Sequence, residues 1–181
     1  MTPPLIDRAR KWVEENYPYN RTHLVKSLEW LDRIAPGAPD AVRLATLTHD
    51  MERAFGGPDA IPIVLNDRAY EKAHSDRSAR IVGEWLVANG ATPEIVADVE
   101  ALIRVHEWGG WPDADLVQAA DSLSFLETNV ELMIGFLKSG KYSQDDIIAK
   151  IGAMYERIRV PSAKELARPM WRDAMQRLAS L

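Results

Sequence analysis

Apolar residues recur every three to four positions along most of the chain, with breakers between the segments and almost no alternation long enough for a strand. That pattern predicts an all-α fold. One helix spans about Arg21 to Ala35 and stops at Pro36-Gly37, where proline cannot continue it and glycine favours the cap. A second opens at Asp40 and ends near Arg53, ahead of Gly56-Gly57-Pro58. A third covers about Asp67 to Ala88 and closes at Asn89-Gly90, read as a left-handed capping pair. Thr92-Pro93-Glu94 starts a fourth, with a capping hydroxyl, proline at the first position and an early carboxylate, and it ends around Glu107. Beyond the Gly109-Gly110-Trp111-Pro112 loop a fifth helix begins near Asp113 and passes Phe125. A further apolar segment covers Leu132 to Leu137. Ser143-x-x-Asp146 and Ser162-x-x-Glu165 each place a carboxylate three residues after a hydroxyl and announce two more helices. No repeat, low-complexity tract or long linker divides the chain, which is therefore expected to form a single domain over residues 1–181.

Composition narrows the class of protein. With 181 residues, 46% of them apolar and 27% charged, the chain can bury a hydrophobic core without staples. Cysteine is absent, which removes disulfides, zinc ribbons, iron–sulfur clusters and thiol nucleophiles. Apolar runs such as Ile61 to Leu65 fall far short of a membrane span, and the charged start, MTPPLIDRARKWVEENYP, is unlike an export signal, so a cytoplasmic protein is expected. The net charge is −5, and 22 basic residues lie scattered among 27 acidic ones, so a nucleic acid would find no basic stripe. A small anionic substrate remains compatible, because a few arginines gathered in one pocket outweigh the global charge over a Debye length of about 10 Å.

The chemistry concentrates in the four histidines, His23, His49, His74 and His106, each on a different predicted helix. Residues one turn away are mostly small or apolar: Val42 and Ala45 beneath His49, Tyr70 and Ile81 beside His74, and Val99, Leu102 and Ile103 before His106. His23 shares its sector with Lys26, Ser27 and Trp30. Asp121 lies between Val117 and Phe125 on an apolar row, and Asp50 directly follows His49. Any one of these histidines taken alone reads as a core residue bonded to a backbone carbonyl. Together, converging imidazoles and carboxylates carry a desolvation cost that a bound cation relieves. Mixed imidazole and carboxylate ligands suit iron or manganese ahead of zinc, magnesium or nickel.

The order His23, His49-Asp50, His74, His106, Asp121 resembles the HD superfamily of metal-dependent phosphohydrolases and their relatives. The resemblance covers about residues 20–130 and implies a helical HD core followed by a C-terminal helical extension, about 131–181. It also implies that His23, His49, Asp50 and Asp121 ligate one divalent ion, and that His74 and His106 bind a second, with Asp50 bridging. Single-metal members look like His-Asp-x-x-Glu; here the run is His49-Asp50-Met51-Glu52-Arg53, and the basic residue resembles two-metal members instead. These include cyclic-dinucleotide phosphodiesterases and the di-iron oxygenases related to myo-inositol oxygenase. His106-Glu107-Trp108-Gly109-Gly110-Trp111-Pro112 and Ala120-Asp121-x-Leu123 partly match the HD-GYP phosphodiesterases.

Around this set, Arg53 is either the group that grips an anion or a solvated arginine at a helix end. Arg77, three residues after His74, is placed at the pocket rim as a second substrate-binding candidate or is plain surface charge. Glu52 and Glu107 adjoin ligands and are candidates to orient histidine rings or shuttle protons. The two tryptophans of the glycine loop either wall the site or pack the loop. The tail after about Ser139 has no histidine and is assigned to packing or association. The expected activity is hydrolysis of a small phosphorylated metabolite or nucleotide at a dinuclear metal site, with Asp50 and Arg53 at the reacting centre. A mixed-valent di-iron oxygenase and a non-catalytic metal-containing sensor are the alternatives.

Overall fold

The computed structural model describes residues 3–181, which form nine α-helices, one short 3₁₀ helix and no strand. In chain order these are α1 Leu5–Asn16, α2 Arg21–Ile34, α3 Asp40–Thr48, the 3₁₀ helix Met51–Ala54, α4 Arg68–Ala88, α5 Pro93–Arg104, α6 Pro112–Thr128, α7 Val130–Lys138, α8 Gln144–Glu156 and α9 Pro161–Ala179. No helix of the described residues is long and apolar enough to cross a membrane.

Several boundaries follow from the caps. Asp67 accepts the Tyr70 amide at the start of α4, Thr92 accepts that of Ile95 at the start of α5, and Ser143 and Asp146 complete a reciprocal capping box on α8. At the end of α4 only Gly90 enters the left-handed region, with φ 75°, while Asn89 stays at φ −99°. Elsewhere the expected boundaries shift. The helix expected from Asp40 to Arg53 is broken: α3 stops at Thr48 and the chain rewinds as a 3₁₀ helix after Asp50. The helix expected to end near Glu107 ends at Arg104, which leaves His106 in a turn. α9 is capped by extended Val160 ahead of Pro161, not by Ser162, because the ring of a proline at the first position presets the helical φ. α1, which no predicted boundary delimited, buries Ala9 and Val13 against the remainder.

Two apolar clusters meet at α6. Val117 and Ala120 join Leu24, Leu47, Leu86 and Ile103 in the first, and Leu123 and Leu126 join Ile147, Ile151 and Leu178 in the second. A helix serving two cores is apolar around most of its circumference, and eleven of its residues, from Ala114 to Leu126, are buried. α2 and α6 form the most extensive helix pair and α4 and α5 the next. Asp121 therefore sits on a helix enclosed from two sides. Leu123 is fully buried on this shared helix. Leu123→Ala is expected to lower the unfolding free energy by about 2–5 kcal/mol, read from urea denaturation followed by circular dichroism.

Candidate metal centre

Helix ends set the orientation of two imidazoles. His49 follows the last residue of α3 and His106 follows the α5 cap, so each ring lies next to carbonyls with no partner inside their helix. His49 Nδ1 lies 2.9 Å from the Thr46 carbonyl, and His106 Nδ1 lies 2.7 Å from that of Ile103. A carbonyl only accepts, so Nδ1 carries the hydrogen in both rings and Nε2 presents a lone pair. Gly109, at φ 66°, closes the turn that holds His106; its amide donates to the Val105 carbonyl, and a Cβ there would collide with the Asp115 carboxylate. His23 receives the same treatment on α2. Ser124 donates to the His23 carbonyl at 2.7 Å and accepts from Nδ1 at 3.0 Å, which again leaves Nε2 facing inward.

The six histidine and aspartate side chains meet in one buried place, none more than 4% exposed. The rings form a file, with centroids 5.3 Å apart from His23 to His49, 5.0 Å from His49 to His106 and 5.1 Å from His106 to His74. Asp121 Oδ1 lies 3.1 Å from His23 Nε2 and 3.4 Å from His49 Nε2. Asp50 Oδ1 lies 3.8 Å from His74 Nδ1 and 3.9 Å from His106 Nε2. Asp50 reaches inward because its backbone, at φ −104° and ψ 11°, has left the α-helix between α3 and the 3₁₀ helix. His74 donates through Nε2 to Glu107 at 3.2 Å.

These residues can coordinate a metal ion. Donor atoms of His23, His49 and Asp121, of His49, Asp50 and His106, and of His74, His106 and Glu107 each lie within 4.8 Å of one another. Buried atoms are left without hydrogen-bond partners at His49 Nε2, His74 Nδ1 and His106 Nε2, together with Glu52 Oε1. An unsatisfied buried polar atom costs about 1–3 kcal/mol. Metal ions bound among these atoms would remove that cost. The protonation balance agrees. Burial opposes charge on His49, yet Asp121 and Asp50 push its pKa up to about 9, so in the protein alone a proton occupies the position that suits a cation. Burial and the neighbouring imidazoles push His106 down to about 4, keeping its lone pair free.

Arginines offset the carboxylates from outside the file. Burial alone would raise the pKa of Asp50, but Arg53 and the three imidazoles of His49, His74 and His106 hold it well below the usual carboxylate range. Arg53 is paired with Asp50 and lines the cavity beside the site, so it is not a solvated helix-end arginine. Arg157, the residue that caps the end of α8, pairs with both Glu107 and Asp121, and keeps both acids ionised against their burial. Its Nε also donates to Ser122 at 2.8 Å.

Two expectations need correcting, and one pair of alternatives is decided. Arg77 is not at the rim of this site. It is buried, donates to the Glu52 carboxylate at 2.8 Å, and donates to the carbonyls of Glu52, Phe55 and Gly56, so its fork is spent on tying the 3₁₀ helix and the following loop to α4. The tail beyond Ser139 does more than pack, since Arg157, Lys150 and Met154 all reach the site or its cavity. The tryptophan loop does not wall the site: Trp111 is 42% exposed, and Trp108 stacks under Arg68.

A cavity of about 70 Å³ opens beside the ligands. His23, Asp50, Asp121 and Glu107 line it, as do Arg53, Tyr17 and Tyr70. The segment Ile63–Leu65 crosses its outer end, held where Tyr142 donates to the Ile63 carbonyl at 3.0 Å and Asn66 to that of Asp146 at 3.1 Å. Ser124, Arg157 and Lys150 were not among the residues expected at the site; only Ser124 had a signal in the sequence, its place about one turn after Asp121 on the same helix face. Comparison with protein-family models, curated proteins and solved structures returned no match.

Arg157→Met removes the guanidinium that pairs with both Asp121 and Glu107. In metal-free protein it is expected to cost about 3–5 kcal/mol of stability in urea denaturation, and added divalent cation is expected to restore part of the loss.

Proposed function

We propose that the protein is an HD-type metal-dependent phosphohydrolase that acts on a small phosphorylated metabolite through two divalent ions. The observation that carries this proposal is the convergence of the imidazole nitrogens on Asp50 and Asp121 in one buried place. His23, His49 and Asp121 would hold one ion, His74 and His106 the other, with Asp50 between them and Glu107 available to the second. Iron or manganese suits this nitrogen and oxygen donor set ahead of zinc, magnesium or nickel.

Such ions, when bound, polarise a phosphoryl oxygen and lower the pKa of water. The side chains supply the remainder. Asp50, Asp121 and Glu107 face Arg53, Arg157 and Lys150, so a divalent ion would make the balance positive and favour an anion. Arg53 stands at the cavity wall, where its remaining donors can meet charge developing on a phosphoryl group. Glu107 accepts from His74 and is held ionised by Lys150 and Arg157 against its burial, which fits an acceptor that orients the ring. Glu71 also lines the cavity, and burial and Glu107 push its pKa up, as a donor of a proton to a leaving oxygen requires.

Elemental analysis of freshly purified protein is expected to give two metal ions per chain, with about one lost in His74→Ala and in His106→Ala together with hydrolysis of phosphomonoesters. Unchanged metal content and turnover in both variants would overturn the proposal. Oxygen uptake with a substrate-perturbed Fe(II)/Fe(III) paramagnetic signal would replace it with the di-iron oxygenase. Glu71→Gln is expected to lower kcat by about 10²–10⁴-fold at unchanged metal content.

A further inference from the structure

The later helices give the cavity a largely apolar lining. Phe125 on α6, Leu132, Met133 and Phe136 on α7, and Met154 on α8 line it, with Leu65 from the crossing segment and Asn129 between α6 and α7. One charged group comes from the same helices. Lys150, half-buried on α8, lines the same cavity; its charge lowers the pKa of both Glu71 and Glu107. It forms no ion pair or hydrogen bond with either of them among the described residues, whereas Arg53, Arg77 and Arg157 are all committed to carboxylates. Lys150 is thus the one cation lining the cavity, among the described residues, that is paired with no carboxylate.

We infer that the natural ligand is a small amphiphilic anion, whose charged group is bound by Lys150 at the metal end and whose body is apolar and lies against α7 and α8. This deepens the proposed function and rests on it for the chemistry at the charged end, but the apolar wall makes its own demand. A sugar or nucleoside body would set hydroxyls and ring nitrogens against Leu132, Met133 and Met154, which have no groups to pair with them.

The test measures binding, not turnover, by calorimetry on manganese-loaded protein. The ligands are two pairs that share a charged group, butylphosphonate with methylphosphonate and pentanoate with acetate, together with adenosine 5′-monophosphate. Each buried methylene contributes about fourfold in affinity, so the longer member of a pair is expected to bind at least about tenfold more tightly. Leu132→Asn, at a half-buried position that tolerates the change, is expected to erase most of that ratio. Lys150→Met is expected to weaken both members of a pair about tenfold while leaving the ratio intact. Equal affinity within both pairs, tighter binding of the nucleotide than of butylphosphonate, or a Lys150→Met variant that binds like the parent would each overturn the inference. A chain-length preference among carboxylates with no phosphonate binding would uphold the amphiphilic ligand and overturn the phosphoryl chemistry of the proposed function.

Discussion

Placing Asp50 and Asp121 among four imidazoles in the interior is the interaction around which the molecule is organised, because each of these groups gives up hydration on folding. The fold answers with partners at two distances. Close in, backbone carbonyls at the ends of α3 and α5, together with Ser124, take the outward hydrogens of three rings and turn their lone pairs inward. Farther out, Arg53 and Arg157 hold the carboxylates ionised. What remains uncompensated is a set of lone pairs and carboxylate oxygens facing one another, the environment that attracts a cation most strongly.

The two parts of the chain contribute differently to this arrangement. The stretch from α2 to α6 supplies every histidine and both aspartates. Helices α7 and α8 supply the apolar wall, Lys150 and the arginine that neutralises Asp121. α6 connects the two roles physically, since one side of it joins the first cluster and the other the second. A change in packing against Leu123 or Leu126 therefore also bears on Asp121 and Ser124, on the same helix. Arg77 makes a parallel link at the other end of the site: it binds the loop after the 3₁₀ helix to α4 and thereby holds Glu52 close to His74.

Helix content and most helix starts were legible in the residues. Apolar spacing and capping side chains act within one or two turns, so Thr92, Ser143 and Gly90 could be read where they stand. The buried cluster was legible for a related reason: histidines on apolar helix faces and an aspartate between Val117 and Phe125 are carried into the interior, where each needs a polar partner. Helix ends were harder. Whether α3 continues past Thr48 or α5 past Arg104 depends on the ring-to-carbonyl bonds of His49 and His106, which exist only once those rings are buried.

Arg77 and Arg157 mark the boundary between what residue type and order decide and what folding decides. Both are arginines with ordinary neighbours in sequence, and nothing local separates a guanidinium that faces solvent from one that neutralises a buried acid. Arg157 meets Asp121 across 36 residues and Arg77 meets Glu52 across 25, and such pairings arise only when helices distant along the chain pack together. The same holds for the cavity, whose walls come from α2, α4, α6, α7 and α8 and from segments between helices. Periodicity, caps and ligand chemistry are properties of short stretches and can be read in order along the chain; charge compensation and the shape of an enclosed space belong to the packed helices.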